Sequence, residues 1–211
     1  MVDFINTIDA LGDETAIDSI ISKTITEFKD NKVTFIGDYA FYKCSALNTV
    51  DIPNATYIAQ RSFQACTELI SVSLPNVSVI YDSAFNGCTK LASIVLPSIY
   101  NLTASVFEGC TALKTVDIYT ACPIKTKNFY NCSALTALII RSTSGVPEMP
   151  YVDCLSGTPI SNGAGYIYVP SALVDRYKTA TNWSTYANQI RAIENYTIDG
   201  TVTGELDETK I

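Results

Sequence analysis

Seven cysteines and no histidine frame the chemistry open to this 211-residue chain. Six of them, Cys44, Cys66, Cys88, Cys110, Cys132 and Cys154, stand 22 residues apart. Thiols in such a row could hold a metal, act as nucleophiles or pair as disulfides, and the spacing tests each. Structural zinc sites draw thiolates from close Cys-x-x-Cys pairs, and the sequence contains none. The absence of histidine removes Ser-His triads, Cys-His dyads and imidazole metal sites. Stacked coils lie about 5 Å apart, within disulfide reach, but side chains on neighbouring coils point in parallel and are poorly aimed at one another. The ladder therefore favours buried thiols packing as small apolar groups. Cys122 stands off the ladder and is the thiol expected to be exposed.

The carboxylates lead no further. Asp51 and Asp117 share one repeat position, but Ser73 and Val95 separate them, so they form no pair across a cleft of the kind glycoside hydrolysis needs. No Gly-rich phosphate loop and no Gly-Gly-x-Gly-x-Asp calcium repeat is present. The Asn-x-Ser/Thr triplets at Asn54, Asn76, Asn101, Asn131, Asn182 and Asn195 read as turn chemistry, because turns enrich these residues. No catalytic residue, metal or cofactor is expected, and the chain does not read as an enzyme.

The 22-residue period that spaces the cysteines also fixes the elements around them. From Ile36 to Arg141 each repeat begins with Ile or Leu, followed by Phe41, Phe63, Phe85, Phe107 or Phe129, the cysteine, and Leu47, Leu69, Leu91, Leu113 or Leu135. Phe, Cys and Leu stand three apart, the spacing of one face of a helical or 3-10 turn. Alternation follows, as in Val50 and Ile52 or Val116 and Ile118, and predicts a short strand with one face inward. Pro53, Pro75 and Pro97 end three of those strands, since proline cannot donate to a ladder. A fixed period of 20–50 residues marks a solenoid. The expected fold is an α/β repeat solenoid: a right-handed coil stack with a parallel sheet on one side and short helical turns on the other.

The pattern Ile-x4-Phe-x2-Cys-x2-Leu-x2-Val-x-Leu-Pro resembles the leucine-rich repeats of BspA-like surface proteins of bacteria, protists and bacteriophages. The resemblance runs from about Thr24 to Val146. It implies a leucine-rich-repeat-like solenoid used for adhesion or receptor binding. The asparagine ladder of receptor-type leucine-rich repeats is absent.

Four segments follow. Residues 1–32 read as an N-terminal lead and cap, with helical spacing from Asp13 to Lys23 and a degenerate repeat that a 22-residue shift sets with Phe28 under Val50. Residues 33–165 form the solenoid, whose partial sixth repeat carries an inserted loop, SGTPISNGAG. Residues 166–194 read as a strand and two helices capped by Ser171 or Thr181, with Trp183 as cap core. Residues 195–211 alternate through Tyr196, Ile198 and Val202, which suits a strand or a tail.

Fourteen Lys and Arg against 21 Asp and Glu give a net charge of −7. A duplex-binding protein shows a basic stripe; none is visible, so nucleic acid is set aside. No apolar run is long enough to span a membrane, and the first residues lack the basic and apolar regions of a signal peptide. Function is left to the surface. Tyr39, Tyr42, Tyr57, Tyr81, Tyr100, Tyr119 and Tyr130 fall mostly in turns and suit recognition of a glycan or protein, or else roof the spine. Asp51, Ser73, Val95, Asp117 and Ile139 form the outward strand row, with Val95 and Ile139 as exposed apolar points. The expected role is a non-enzymatic recognition module on a phage tail or bacterial surface, partnered by a cell-surface glycan or protein receptor. The alternative is a structural subunit packed against other virion or tail subunits. The sequence leaves oligomerisation open.

Overall fold

The computed structural model describes residues 24–193 together with the backbone of residues 197–198 and 201–202. Twelve strands build the coils, each where alternation or the first residues of a repeat place them: β1 (Glu27–Lys29), β2 (Phe35–Ile36), β3 (Thr49–Asp51), β4 (Tyr57–Ile58), β5 (Ser71–Ser73), β6 (Val79–Ile80), β7 (Ser93–Leu96), β8 (Asn101–Leu102), β9 (Thr115–Ile118), β10 (Ala137–Ile140), β11 (Tyr166–Val169) and β12 (Ile190–Ala192). β1, β3 and β5 pair in parallel, and β7, β9, β10, β11 and β12 continue the same outer face as a second parallel group. Register follows the 22-residue shift, with Phe28 opposite Val50, Val50 opposite Val72, and Ile94 opposite Val116.

A second face, absent from the sequence reading, is a parallel sheet of the two-residue strands β2, β4, β6 and β8. Its inward residues are Ile36, Ile58, Ile80 and Leu102, all buried.

The third face is made of tight turns rather than helices. Bonds from the amides of Ala40, Tyr42, Cys44 and Leu47 to carbonyls three residues back supply single turns. No helix propagates because each repeat places two residues in the left-handed region: Tyr39, Arg61, Ser83, Ser105 and Lys127 at one position, and Lys43, Ala65, Gly87, Gly109 and Asn131 at the other. A non-glycine residue held there costs about 1–2 kcal/mol. The return is a backbone ladder between coils, with the amides of Tyr39, Phe41 and Lys43 donating to the carbonyls of Gln60, Ser62 and Gln64.

Inside, Phe41, Phe63, Phe85, Phe107 and Phe129 stack with centroids 5.1, 5.1, 5.5 and 5.8 Å apart and planes within 10° of parallel. Stacking of this kind needs an unbroken row of one residue type at coil spacing, which the period provides.

The C-terminal end departs from expectation in three respects. A 3-10 turn (Ser171–Leu173) leads into α1 (Val174–Thr179), and a second 3-10 helix (Trp183–Gln189) follows. Residues 190–192, read as helix from the sequence, instead form β12 and pair in parallel with β11, so the chain closes its own sheet edge. Neither Ser171 nor Thr181 caps a helix: the positions flanking these helices are Pro170, Leu173 and Asn182, without side-chain capping bonds. Trp183 is buried as expected, against Tyr177 edge-on at 5.1 Å. Its Nε1 donates to the Pro147 carbonyl at 2.8 Å, and the Tyr186 hydroxyl donates to that of Val152 at 3.0 Å, pinning the segment that precedes the inserted loop. The helix expected over residues 13–23 lies outside the described residues. At the other end, β13 (Thr197–Ile198) and β14 (Thr201–Val202) pair antiparallel with each other.

Candidate interaction surface

All seven cysteines are free and buried. The ladder does more than fill space. The Sγ of Cys66, Cys88, Cys110 and Cys132 donates to the carbonyl of the phenylalanine in the preceding coil at 3.0–3.1 Å. That carbonyl also accepts the amide of its own coil's cysteine, so each thiol uses a second lone pair that would otherwise be buried unused. Burial pushes the thiols of Cys88, Cys132 and Cys154 up to about 12 and raises those of Cys66 and Cys110 well above the ordinary thiol value. A thiol held protonated is a poor nucleophile.

Cys122, expected at the surface, is 1% exposed. The segment after β10 runs over this position: the Glu148 carbonyl accepts the Ile124 amide at 2.9 Å, and Met149 is buried in the same core. Burial lifts the Cys122 thiol to about 11.

The outward strand row divides. By register it runs Lys29, Asp51, Ser73, then Val95, Asp117, Ile139, Tyr168 and Arg191. Asp51 is half-buried, Ser73 is exposed and Val95 is 50% exposed. Asp117 and Ile139 do not belong to an open face. The Arg141 Nε and Nη2 donate to the two Asp117 carboxylate oxygens at 2.8 and 3.0 Å, with Arg141 also lying 5.2 Å over the Tyr119 ring. Such fork-to-fork geometry is the strong form of the pair. Ile139 is 1% exposed, packed with Ala137, Ile193 and Tyr168.

The tyrosines are mostly outside. Tyr39, Tyr57, Tyr81, Tyr100 and Tyr119 are exposed, and Tyr42 and Tyr130 are half-buried. They form separate groups. On the turn face the Arg61 Nη1 donates to the Tyr39 hydroxyl at 2.9 Å, Tyr42 meets Tyr39 edge-on at 5.6 Å, and Lys43 and Lys127 lie over the rings of Tyr42 and Tyr130.

On the second sheet, Phe35 stacks on Tyr57 at 5.0 Å with planes 10° apart, and Tyr81 meets Tyr57 edge-on at 6.3 Å. Tyr100, 63% exposed, lies in the coil after Tyr81. Phe35, missed as a surface residue, stands 22 positions before Tyr57, so the repeat shift could have found it. Ile70, Tyr151 and Tyr166 are further exposed apolar residues that repeat alignment did not single out.

Charge is distributed unevenly. Residues 24–193 hold 12 Lys and Arg against 11 Asp and Glu, a balance of +1, so the remaining −8 of the total −7 falls in residues 1–23 and 194–211. Among the described residues, no group of three or more His, Cys, Asp or Glu could hold a metal ion, and no helix is long and apolar enough to cross a membrane.

The sequence matches the family described as BspA type leucine rich repeat region, in six copies over residues 19–154. No match is found among curated protein sequences. Among solved structures, the pneumococcal vaccine antigen PcpA is similar at 19% identity and a TM-score of 0.58, over 79% of this chain and 40% of its own. A leucine-rich cell surface protein from Faecalibacterium prausnitzii is similar at 25% identity and a TM-score of 0.53, over 66% of this chain and 37% of its own. A leucine-rich repeat protein from Eubacterium ventriosum is 23% identical with a TM-score of 0.50, over 65% and 44%. The chain thus spans less than half the length of these three solved proteins. BspA-type repeat proteins are generally surface or adhesion-type proteins, typically non-enzymatic, and leucine-rich repeats mediate protein–protein interactions. With the coils, their register and the six matched copies in agreement, the chain belongs to the BspA-type leucine-rich repeat family.

Proposed function

We propose that this chain is a non-enzymatic recognition module of a bacterial surface and that it holds its partner along the second sheet. The observation that carries this reading is four exposed aromatics along this sheet: Phe35 and Tyr57 in register, Tyr81 one residue past β6 and Tyr100 one residue before β8. Large aromatics presented on a rigid backbone give contact area at low entropic cost.

The ring geometry favours a protein partner over a glycan. Phe35 and Tyr57 stack along the coil axis, so their faces look at each other and their edges look outward. A sugar stacks on an open ring face, whereas edges and hydroxyls suit the side chains and carbonyls of a polypeptide. The solved structures described above are bacterial proteins and lend no support to a virion or tail placement.

The test is binding of the purified chain to a panel of purified cell-surface proteins and, in parallel, to a glycan array. The combined variant Tyr57→Ser, Tyr81→Ser, Tyr100→Ser changes exposed side chains and should leave the melting temperature within a few degrees. Protein binding that falls at least tenfold in this variant supports the reading. Ring-dependent glycan binding would replace the partner class, and silence in both assays would sink the proposal.

A further inference from the structure

The outer sheet is interrupted once, between β5 and β7. Just before each outer strand a rung ties neighbouring coils. Asn48 donates to Thr26, Ile70 to Asn48, Lys114 to Ala92, Thr136 to Lys114 and Tyr166 to Thr136, at 2.8–3.1 Å. The member of this series that should join Ala92 to the Ile70 carbonyl is not made. At the far end of the strands, the Tyr119 amide reaches Leu96 at 3.3 Å and the Arg141 amide reaches Ile118 at 2.7 Å. Pro97 holds that position at the interruption and has no N–H to offer the Leu74 carbonyl.

The side chains follow the backbone. Val72 points inward by register yet is only half-buried, whereas Val50 and Ile94 on either side are fully enclosed. Ile70 and Val95 lie exposed at the margins of the gap.

On their other two faces the same coils stay tied. Ile58 pairs with Ile80 in the second sheet. On the turn face, the amides of Arg61, Phe63 and Ala65 donate to Asp82, Ala84 and Asn86 at 2.8–3.0 Å, and the Cys88 thiol bonds the Phe63 carbonyl at 3.1 Å. Two faces closed and one open is the geometry of a hinge, its axis along the closed faces.

We propose that this seam is a hinge at which the outer face opens and closes, β1, β3 and β5 moving as one block against the five strands from β7 onward. Opening there breaks no backbone rung of the outer sheet; what ties the two coils on this side is side chains, Thr89 to the Thr67 carbonyl, Lys90 to Glu68 and Ser98 to the Pro75 carbonyl. Elsewhere along the outer face the same motion would break every rung between two coils. The hinge lets the rod adjust its curvature to a partner without loosening either block.

NMR relaxation dispersion on the full chain tests this, since hinge motions fall in the microsecond-to-millisecond range. Exchange broadening is expected at residues 70–73 and 92–96 and not at residues 115–118. The Ala92 amide should also exchange with deuterium at least tenfold faster than the Lys114 amide. Pro97→Tyr, which restores the donor found at Tyr119, should suppress the broadening. Flat dispersion at residues 70–73 and 92–96 of the unaltered chain overturns the proposal, whatever becomes of the variant. Broadening that persists unchanged in a folded Pro97→Tyr chain also overturns it, since the missing rungs would not set the motion.

Discussion

The outer face of the first three coils and that of the later ones are written in the same 22-residue pattern and end up unlike. β1, β3 and β5 are three residues long and carry Lys29, Asp51 and Ser73 facing solvent, with Lys29 tied only to the exposed Glu27. β7, β9, β10 and β11 are four residues long. Val95 on β7 stays exposed, but beyond it Asp117 is gripped by Arg141 and Ile139 packs against Ile193 and Tyr168. The difference traces to one row and one contact. Pro53 and Pro75 end β3 and β5 without a donor, as Pro97 ends β7, whereas Tyr119 and Arg141 at the same position each add a rung. Ile193, just past β12, then packs on Ile139 of the late strands. Repeat position alone therefore does not set a residue's environment; its place along the stack does.

The largest test asks what the two halves share. Cys66→Asp in the early half and Cys132→Asp in the late half should each cost more than about 4 kcal/mol by burying an unpaired carboxylate, read as loss of the cooperative thermal transition. A large disparity between them would mean that the spine, too, differs between halves.

A smaller pair contrasts an open and a covered position of the same outward row. Ile139→Ser should cost about 3 kcal/mol, combining a lost apolar side chain with a buried hydroxyl. Val95→Ser, at the equivalent repeat position, should stay within about 0.5 kcal/mol. Urea denaturation of both variants measures the contrast. Equal midpoints would show that the covering of Ile139 contributes nothing.

The mildest perturbation is alkaline pH. Ordinary thiols ionise near 9, and the buried ones at about 12 or above. The unfolded chain therefore binds fewer protons than the folded chain once the pH passes about 9, and stability falls with pH. The contribution is whole below pH 9 and is lost as the pH climbs toward 12. Because the ladder crosses the seam, melting followed at pH 7.5 and 10.5 should show one transition moving to lower temperature. A melting temperature unchanged at pH 10.5 would contradict the burial of the thiols.

Much of this was legible in the repeat itself. The inward residues, the register that sets Phe28 opposite Val50, the free thiols and the burial of Trp183 all follow from periodicity and from the need to bury apolar rows that no single coil can hide. The site was legible less evenly. Tyr57, Tyr81 and Tyr100 are exposed, but their grouping with Phe35 came from a two-residue sheet too short to show alternation. Cys122, Asp117 and Ile139 went astray for one reason. Each is buried by residues that do not recur with the period, Glu148 and Met149, the single arginine at position 141 in the next coil, and Ile193, and alignment within a period carries no information about such contacts. The turn face was misread because a spacing of three fits both a helical turn and a chain of turns, and only the left-handed residues at Tyr39 and Lys43 and their equivalents decide between them.

By itself, then, the sequence determined the solenoid, its spine and its thiol chemistry, since a strict period leaves one way to stack equivalent side chains. Tertiary structure alone decided which outward residues remain outside, where the outer sheet breaks, and how the end closes through β12. Those outcomes depend on where non-repeating chain crosses the coils and on which backbone donors survive, and neither is written in the period.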